Sequence, residues 1–193
     1  MERKKEQDPK LRTIVDSILK SYRQHGELTH LEGGSLPSRE IVWGVVEDLL
    51  QILFPGFLEP TELPPDHVVA RTAERVHSVE RCLRGELEKG LRFRQGPTLS
   101  TGETRATAEA ATLRVLREIP TIRDILATDM EAAYEGDPAA QSLEEIIIAY
   151  PGLQAIAVYR LAHILYQEQI PLVPRVMTGY AHFRTGIDIH PGA

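Results

Sequence analysis

Asp188 and Asp137 are the two carboxylates whose setting points to chemistry. Asp188 sits in Ile187-Asp188-Ile189-His190, where polarity alternates as in a short strand that stops at Pro191-Gly192. Asp137 follows Gly136 and precedes Pro138, a combination that starts a turn and projects the carboxylate away from a helix end. A carboxylate can orient a histidine base or accept charge-assisted hydrogen bonds from a cation. The plain alternatives are a solvent-facing acid at a strand start and an acid that only initiates a turn. His163, His182 and His190 are close in sequence, but they lack the His-x-x-x-His or Cys-x-x-Cys spacing that holds a cation, so they suggest no metal site. His163 reads as a hydrogen-bonded helix-face residue. Cys82, the single cysteine, lies mid-helix with no Cys or His nearby and reads as packing rather than nucleophile.

The elements that must position these residues are mostly helical. Leu11, Ile14, Val15, Ile18, Leu19 and Tyr22 recur at helical spacing from Asp8 to about Arg23. Ser38 is placed to cap a second helix reaching about Phe54, with Ile41, Val42, Val45, Val46, Leu49, Leu50 and Leu53 on a broad apolar face. Asp66 is placed to cap a third, carrying Val69, Ala73, Val76, Leu83, Leu87 and Leu91, which should end by Gly96-Pro97. Ser100-x-x-Glu103 opens a fourth that runs to Glu118, and Pro120 then starts a fifth reaching about Tyr134. Ser142-x-x-Glu145 marks a short helix, and Pro151 begins another with Leu153, Ile156, Ala157, Leu161, Ile164 and Leu165 on its apolar face. The expectation is a bundle of about seven or eight helices with one terminal strand. The first six or so residues and the loop from Glu27 to Pro37 are expected to be mobile.

Composition narrows the function classes. The chain has 193 residues, 42% of them hydrophobic and 26% charged, so it can bury a substantial core. A net charge of -6 without a basic stripe argues against nucleic acid or an anionic membrane as partner. No intrachain disulfide is possible, the polar start is no secretory signal, and the apolar runs are too short to span a bilayer. The expected location is the cytoplasm.

Gly-Asp-Pro-Ala-Ala at 136–140, Tyr-Pro-Gly at 150–152, Tyr-Arg-Leu-Ala-His at 159–163 and Thr-Gly-Ile-Asp-Ile-His-Pro-Gly-Ala at 185–193 together resemble bacterial serine O-acetyltransferases, in order and in spacing. The resemblance is strong over roughly the last third of the chain and diffuse before it. It implies a mainly α fold, with a helical assembly domain over 1–184 and the first strand of a left-handed parallel β-helix over 185–193. Phe183 and Ile189, six residues apart, fit the corner spacing of such a helix.

The resemblance also implies transfer of acetyl from acetyl-CoA to L-serine, the first step of cysteine biosynthesis. It makes Asp188 the carboxylate partner of a catalytic histidine that lies about one β-helix coil further on, beyond Ala193. Asp137 becomes a substrate-binding residue, and His190 either a second one or a residue that shapes the first β-helix turn. Arg160 matches the family and reads as structural, whereas Gly136 stands where many members carry Arg. Acetyl-CoA would be a co-substrate of the complete enzyme, with no cofactor held by this chain. The implied partners are further copies of the chain, in a dimer of trimers, and O-acetylserine sulfhydrylase through a C-terminal tail. The 193 residues by themselves are expected to be inactive. A non-catalytic helical oligomerisation module and a hexapeptide acyltransferase with another acceptor remain open alternatives.

Overall fold

The structure is a computed structural model that describes residues 8–31, 34–59, 61–95 and 100–193. It divides into two compact units, Met1–Gly34 and Ser35–Ala193. In the first unit, α1 (Pro9–Gln24) begins with Asp8 accepting a hydrogen bond from the Lys10 amide at 3.0 Å, and Pro9 occupies the first turn, where a missing N–H costs nothing. Its periodic apolar residues form the predicted face, yet all six, from Leu11 to Tyr22, stay 42–58% exposed. A 3₁₀ turn follows at Gly26–Leu28. The predicted mobility of the first six residues, and of positions 32 and 33 of the loop, lies outside the described residues.

The second unit is a helical bundle: α2 (Arg39–Leu53), α3 (Val68–Gln95, after a 3₁₀ turn at Pro65–His67), α4 (Thr101–Gly136), α5 (Leu143–Ala149), α6 (Pro151–Gln167) and α7 (Val173–Thr185). One core is shared by Val42, Val46 and Leu49 of α2, Leu83 and Leu87 of α3, Val115 of α4, Ile146 of α5, Leu161 and Leu165 of α6 and Met177 of α7. Cys82 packs against its edge. Ser38 and Ser100 cap as their sequence contexts predict, and Ser100 and Glu103 complete a reciprocal box. At α5 the exchange is shifted by one residue: Ser142 accepts from the Glu145 amide, while Glu145 accepts from Gln141.

Three expectations are corrected. Pro120 does not divide two helices, because α4 runs through it unbroken. Proline in a helix forfeits the bond to the carbonyl four residues earlier, but here Val115, Ile119 and Ile122 continue one buried stripe while Pro120 faces solvent. The apolar faces are also narrower than predicted, with Ile41 at 41% and Val69 at 80% exposure. The first turns of α3 stand away from the core, which its later turns meet through Val79, Leu83, Leu87 and Leu91. Asp66 lies in the 3₁₀ turn before α3 and makes no side-chain cap there. Gly96-Pro97, the expected stop, lies outside the described residues.

The turn between α6 and α7 uses two non-glycine residues at positive φ, Gln169 and Leu172. At Leu172 the angles φ 64° and ψ −55°, with the Val173 amide donating to the Pro171 carbonyl at 2.7 Å, define a rare, strained γ-turn. Gly186, left-handed at φ 75°, then ends α7, and its amide donates to the His182 carbonyl at 2.8 Å. Residues 187–190 follow without regular structure, and no strand occurs among the described residues. Alternating polarity favours a strand, but a ladder needs a second strand to exchange hydrogen bonds with. Phe183 belongs to α7, 68% exposed, its ring 5.1 Å from that of Trp43, so its spacing to Ile189 is not a β-helix interval in this structure.

Candidate functional site

The left-handed turn at Gly186 sends the chain back along α7, and this return brings Asp188 to Arg175. The guanidinium donates from Nη1 to Oδ1 at 3.0 Å and from Nη2 to Oδ2 at 3.1 Å, the parallel two-bond geometry that matches a fork to a carboxylate. Hydrogen bonding from Arg175 is the main reason that the Asp188 carboxyl is held below its ordinary range, and the charges of Arg175, His182 and His190 act in the same direction. The same bond raises Arg175. An open groove of about 460 Å³ runs beside the pair, between Arg39 and Trp43 of α2 and Leu172, Val176 and Phe183.

Beyond Asp188 the chain lies along one face of α6. Tyr159, His163 and Tyr166 are spaced four and three residues apart and so share that face. The Tyr159 hydroxyl donates to the Ala193 carbonyl at 2.5 Å. His163 Nδ1 is 2.7 Å from the Pro191 carbonyl, which can only accept, so Nδ1 carries the proton and Nε2 accepts from the Gln167 amide at 2.9 Å. The Tyr166 and His190 rings meet nearly perpendicular with centroids 5.7 Å apart, and a Cβ on Gly192 would lie 2.5–2.7 Å from the Tyr166 side chain. His190 Nδ1 accepts from the Gly192 amide at 3.1 Å, which places the proton of a neutral ring on Nε2.

Asp137 ends α4 and belongs to a different cluster. Its Oδ1 accepts from the Ala139 amide at 2.9 Å and its Oδ2 from the Tyr150 hydroxyl at 2.6 Å. The phenol bond, then the amide bond, hold its carboxyl below the usual value. The same contact pushes the Tyr150 phenol up to about 12. Asp137 thus performs the turn role in full, and each oxygen keeps a lone pair that could receive an ammonium proton. Among the described residues no hydrogen bond joins Asp137 to Asp188 or His190. Asp188 is hydrogen-bonded to no histidine among them, although His182 and His190 lie within its field. No group of three or more His, Cys, Asp or Glu side chains among them could hold a metal.

Residues 77–158 match the family model described as "Serine acetyltransferase, N-terminal". The plasmid serine acetyltransferase of Synechococcus elongatus is 36% identical over 162 residues, which are 82% of this chain and 51% of that protein. Residues 77–158 are thereby identified with the N-terminal domain of serine acetyltransferases. Serine acetyltransferase 1 of Entamoeba histolytica, crystallised in complex with L-cysteine, superposes with a TM-score of 0.62 at 31% identity, covering 76% of this chain and 49% of its own. The native crystal structure of the same protein gives 0.63 at 27% identity over 93% and 61%. The chain therefore spans about half the length of the serine acetyltransferases it matches over most of its own length.

In this structure Asp188 and His190 lie in the segment after α7, and Asp137 lies in a separate cluster at the end of α4. The sequence missed their partners. Arg175 is thirteen residues before Asp188, across a helix end, and no periodicity links the two. Tyr150 stands in a motif, but nothing in the sequence signals that its hydroxyl reaches Asp137. Arg160 pairs with Asp129 of α4, joining α6 to α4.

Proposed function

We propose that the chain is the N-terminal part of a serine O-acetyltransferase, with residues 1–184 as the helical domain and 185–193 as the first segment of a left-handed β-helix. The single observation that carries this reading is the 36% identity to a serine acetyltransferase over 82% of the chain. The L-cysteine bound by the Entamoeba relative supports an acceptor site of amino-acid shape, because cysteine is serine with sulfur in place of the hydroxyl oxygen.

In the reaction, the serine hydroxyl oxygen attacks the thioester carbonyl of acetyl-CoA, the carbon–sulfur bond breaks, and O-acetylserine and CoA leave. A histidine contributed from outside these residues takes the hydroxyl proton and returns it to the departing thiolate. Asp188 fixes that histidine's tautomer and stabilises its cation, Asp137 accepts from the substrate ammonium, and His190 offers Nε2–H towards the substrate carboxylate. The reading places the protein in the cytoplasm, assembled as a dimer of trimers, with O-acetylserine sulfhydrylase as a further partner. No helix among the described residues is long and apolar enough to cross a membrane.

The test is serine-dependent release of CoA thiol from acetyl-CoA. The 193-residue chain should show none and the full gene product should turn over. In the latter, Asp188→Asn should lower the rate by about 10²–10⁴-fold, the usual worth of general-base assistance. Turnover by the 193 residues alone, or an unimpaired Asp188→Asn protein, contradicts the proposal.

The apolar face of α1, which nothing within its own unit buries, favours a second reading, an assembly role for the helical region on its own. Sedimentation of the 193-residue chain decides it, and a monomer at every concentration counts against it.

A further inference from the structure

We propose that Arg175 is a positioning residue for this chemistry: its guanidinium fixes the Asp188 carboxylate in one rotamer while the outward lone pairs stay available to an imidazole. The inference rests on the reading of Asp188 given above. Three features of the fold carry it.

First, both carboxylate oxygens are met by separate guanidinium nitrogens at 3.0 and 3.1 Å, so the carboxyl plane cannot rotate without breaking a bond. A lysine would supply the charge without this constraint. Second, Arg175 is the third residue of α7, in the turn where the helix dipole disfavours a cation, and no acidic residue shares that turn. Local helix stability therefore gives no reason for an arginine there, whereas pairing with Asp188 does. Third, the guanidinium is buttressed from behind: Nη1 also reaches the hydroxyl of Thr178, which is 1% exposed and whose hydroxyl donates to the Arg175 carbonyl.

This arrangement has a consequence for the base. A carboxylate raises the basicity of the imidazole it orients, and a guanidinium on its far side offsets part of that effect. Arg175 thus keeps the pair rigid while holding the histidine nearer to the pH at which it must accept a proton. The other titratable groups around Asp188 are His182 of α7 and His190 of its own segment, and Arg39 of α2 lines the same groove as Arg175.

The experiment compares Arg175→Met and Arg175→Lys in two settings. In the 193-residue chain, carboxyl-carbon NMR follows the titration of Asp188, with circular dichroism as the folding control. In the full gene product, kcat and KM for serine are measured across pH, with Asp188→Asn alongside. The methionine variant should raise the Asp188 midpoint towards an ordinary carboxylate. It should lower kcat by about 10–100-fold, the cost of a misplaced catalytic group, with little change in KM. The acidic limb of its pH profile should move up by roughly half a unit or more. The lysine variant should restore the limb but only part of kcat. An Asp188 midpoint equal in wild-type and Arg175→Met chains overturns the inference. So does loss of turnover in Asp188→Asn beside an unchanged profile in Arg175→Met, and that result leaves the reading of Asp188 standing. An active Asp188→Asn protein instead overturns that reading, and the role of Arg175 with it.

Discussion

Removing Arg75 from the bundle should cost more than removing any surface charge, and the size of the effect follows from what surrounds it. Arg75 donates from Nε to Gln51 Oε1 at 2.7 Å and from Nη2 to Glu59 Oε2 at 2.5 Å. The two charged side chains are only 10% and 5% exposed, and the other Glu59 oxygen is buried without a partner. Arg75→Met keeps the aliphatic packing but leaves the Glu59 carboxylate buried and unpaired, a change worth about 3–5 kcal/mol. With a urea dependence of about 2–3 kcal/mol per molar, the unfolding midpoint should fall by roughly 1–2.5 M. Adding Glu59→Leu removes the stranded charge and its unpartnered oxygen, so the double variant should recover at least about half of the loss. Urea titrations followed by circular dichroism read all three proteins. A midpoint shift under roughly 0.5 M for Arg75→Met, or a double variant no more stable than the single one, refutes the view that the cost lies in an abandoned buried carboxylate.

Asp137 and Asp188 have folded-state values below their unfolded ones. Their contribution to stability is therefore complete above the unfolded value of about 3.9 and is lost as pH falls through the depressed folded values. Tyr150→Phe should raise the Asp137 midpoint and flatten stability against pH below about 4, read by NMR and acid unfolding. It should also delete a phenol that titrates near 12 in alkaline absorbance, and unchanged acid and alkaline curves would refute the Asp137–Tyr150 assignment. Gly90→Ala should destabilise despite a helix-propensity gain of about 1 kcal/mol, because the new Cβ would sit 2.8 Å from the Pro171 carbonyl oxygen. That oxygen is backbone held in the Leu172 γ-turn and cannot swing aside, so a net loss of about 1–2 kcal/mol is expected, and a higher melting midpoint would count against it.

What could be read in advance was local. The caps at Ser38 and Ser100 and the turn at Asp137 follow from side chains within a few residues of the amides they satisfy, so their sequence contexts suffice. Pro120 misled because its local meaning as a helix start was overridden by a buried stripe continuing on the opposite side of α4. The γ-turn at Leu172 left no trace, since the left-handed region is signalled by glycine or asparagine and leucine stands there. Asp188 and Asp137 stand out as candidates through their motifs. Arg175 and Tyr150 do not, because each reaches its acid only after the chain has reversed direction.

The three side chains of α6 that hold residues 190–193 also act as a datum. Hydroxyl, imidazole and ring each hold a different point of the chain end: Tyr159 binds the Ala193 carbonyl, His163 the Pro191 carbonyl, and Tyr166 leaves no room for anything larger than Gly192. Any domain joined after Ala193 would inherit its heading from this mount, and an angular error there would grow in proportion to distance. A substitution on α6 could thus misalign groups far from it while every local contact around them stayed intact.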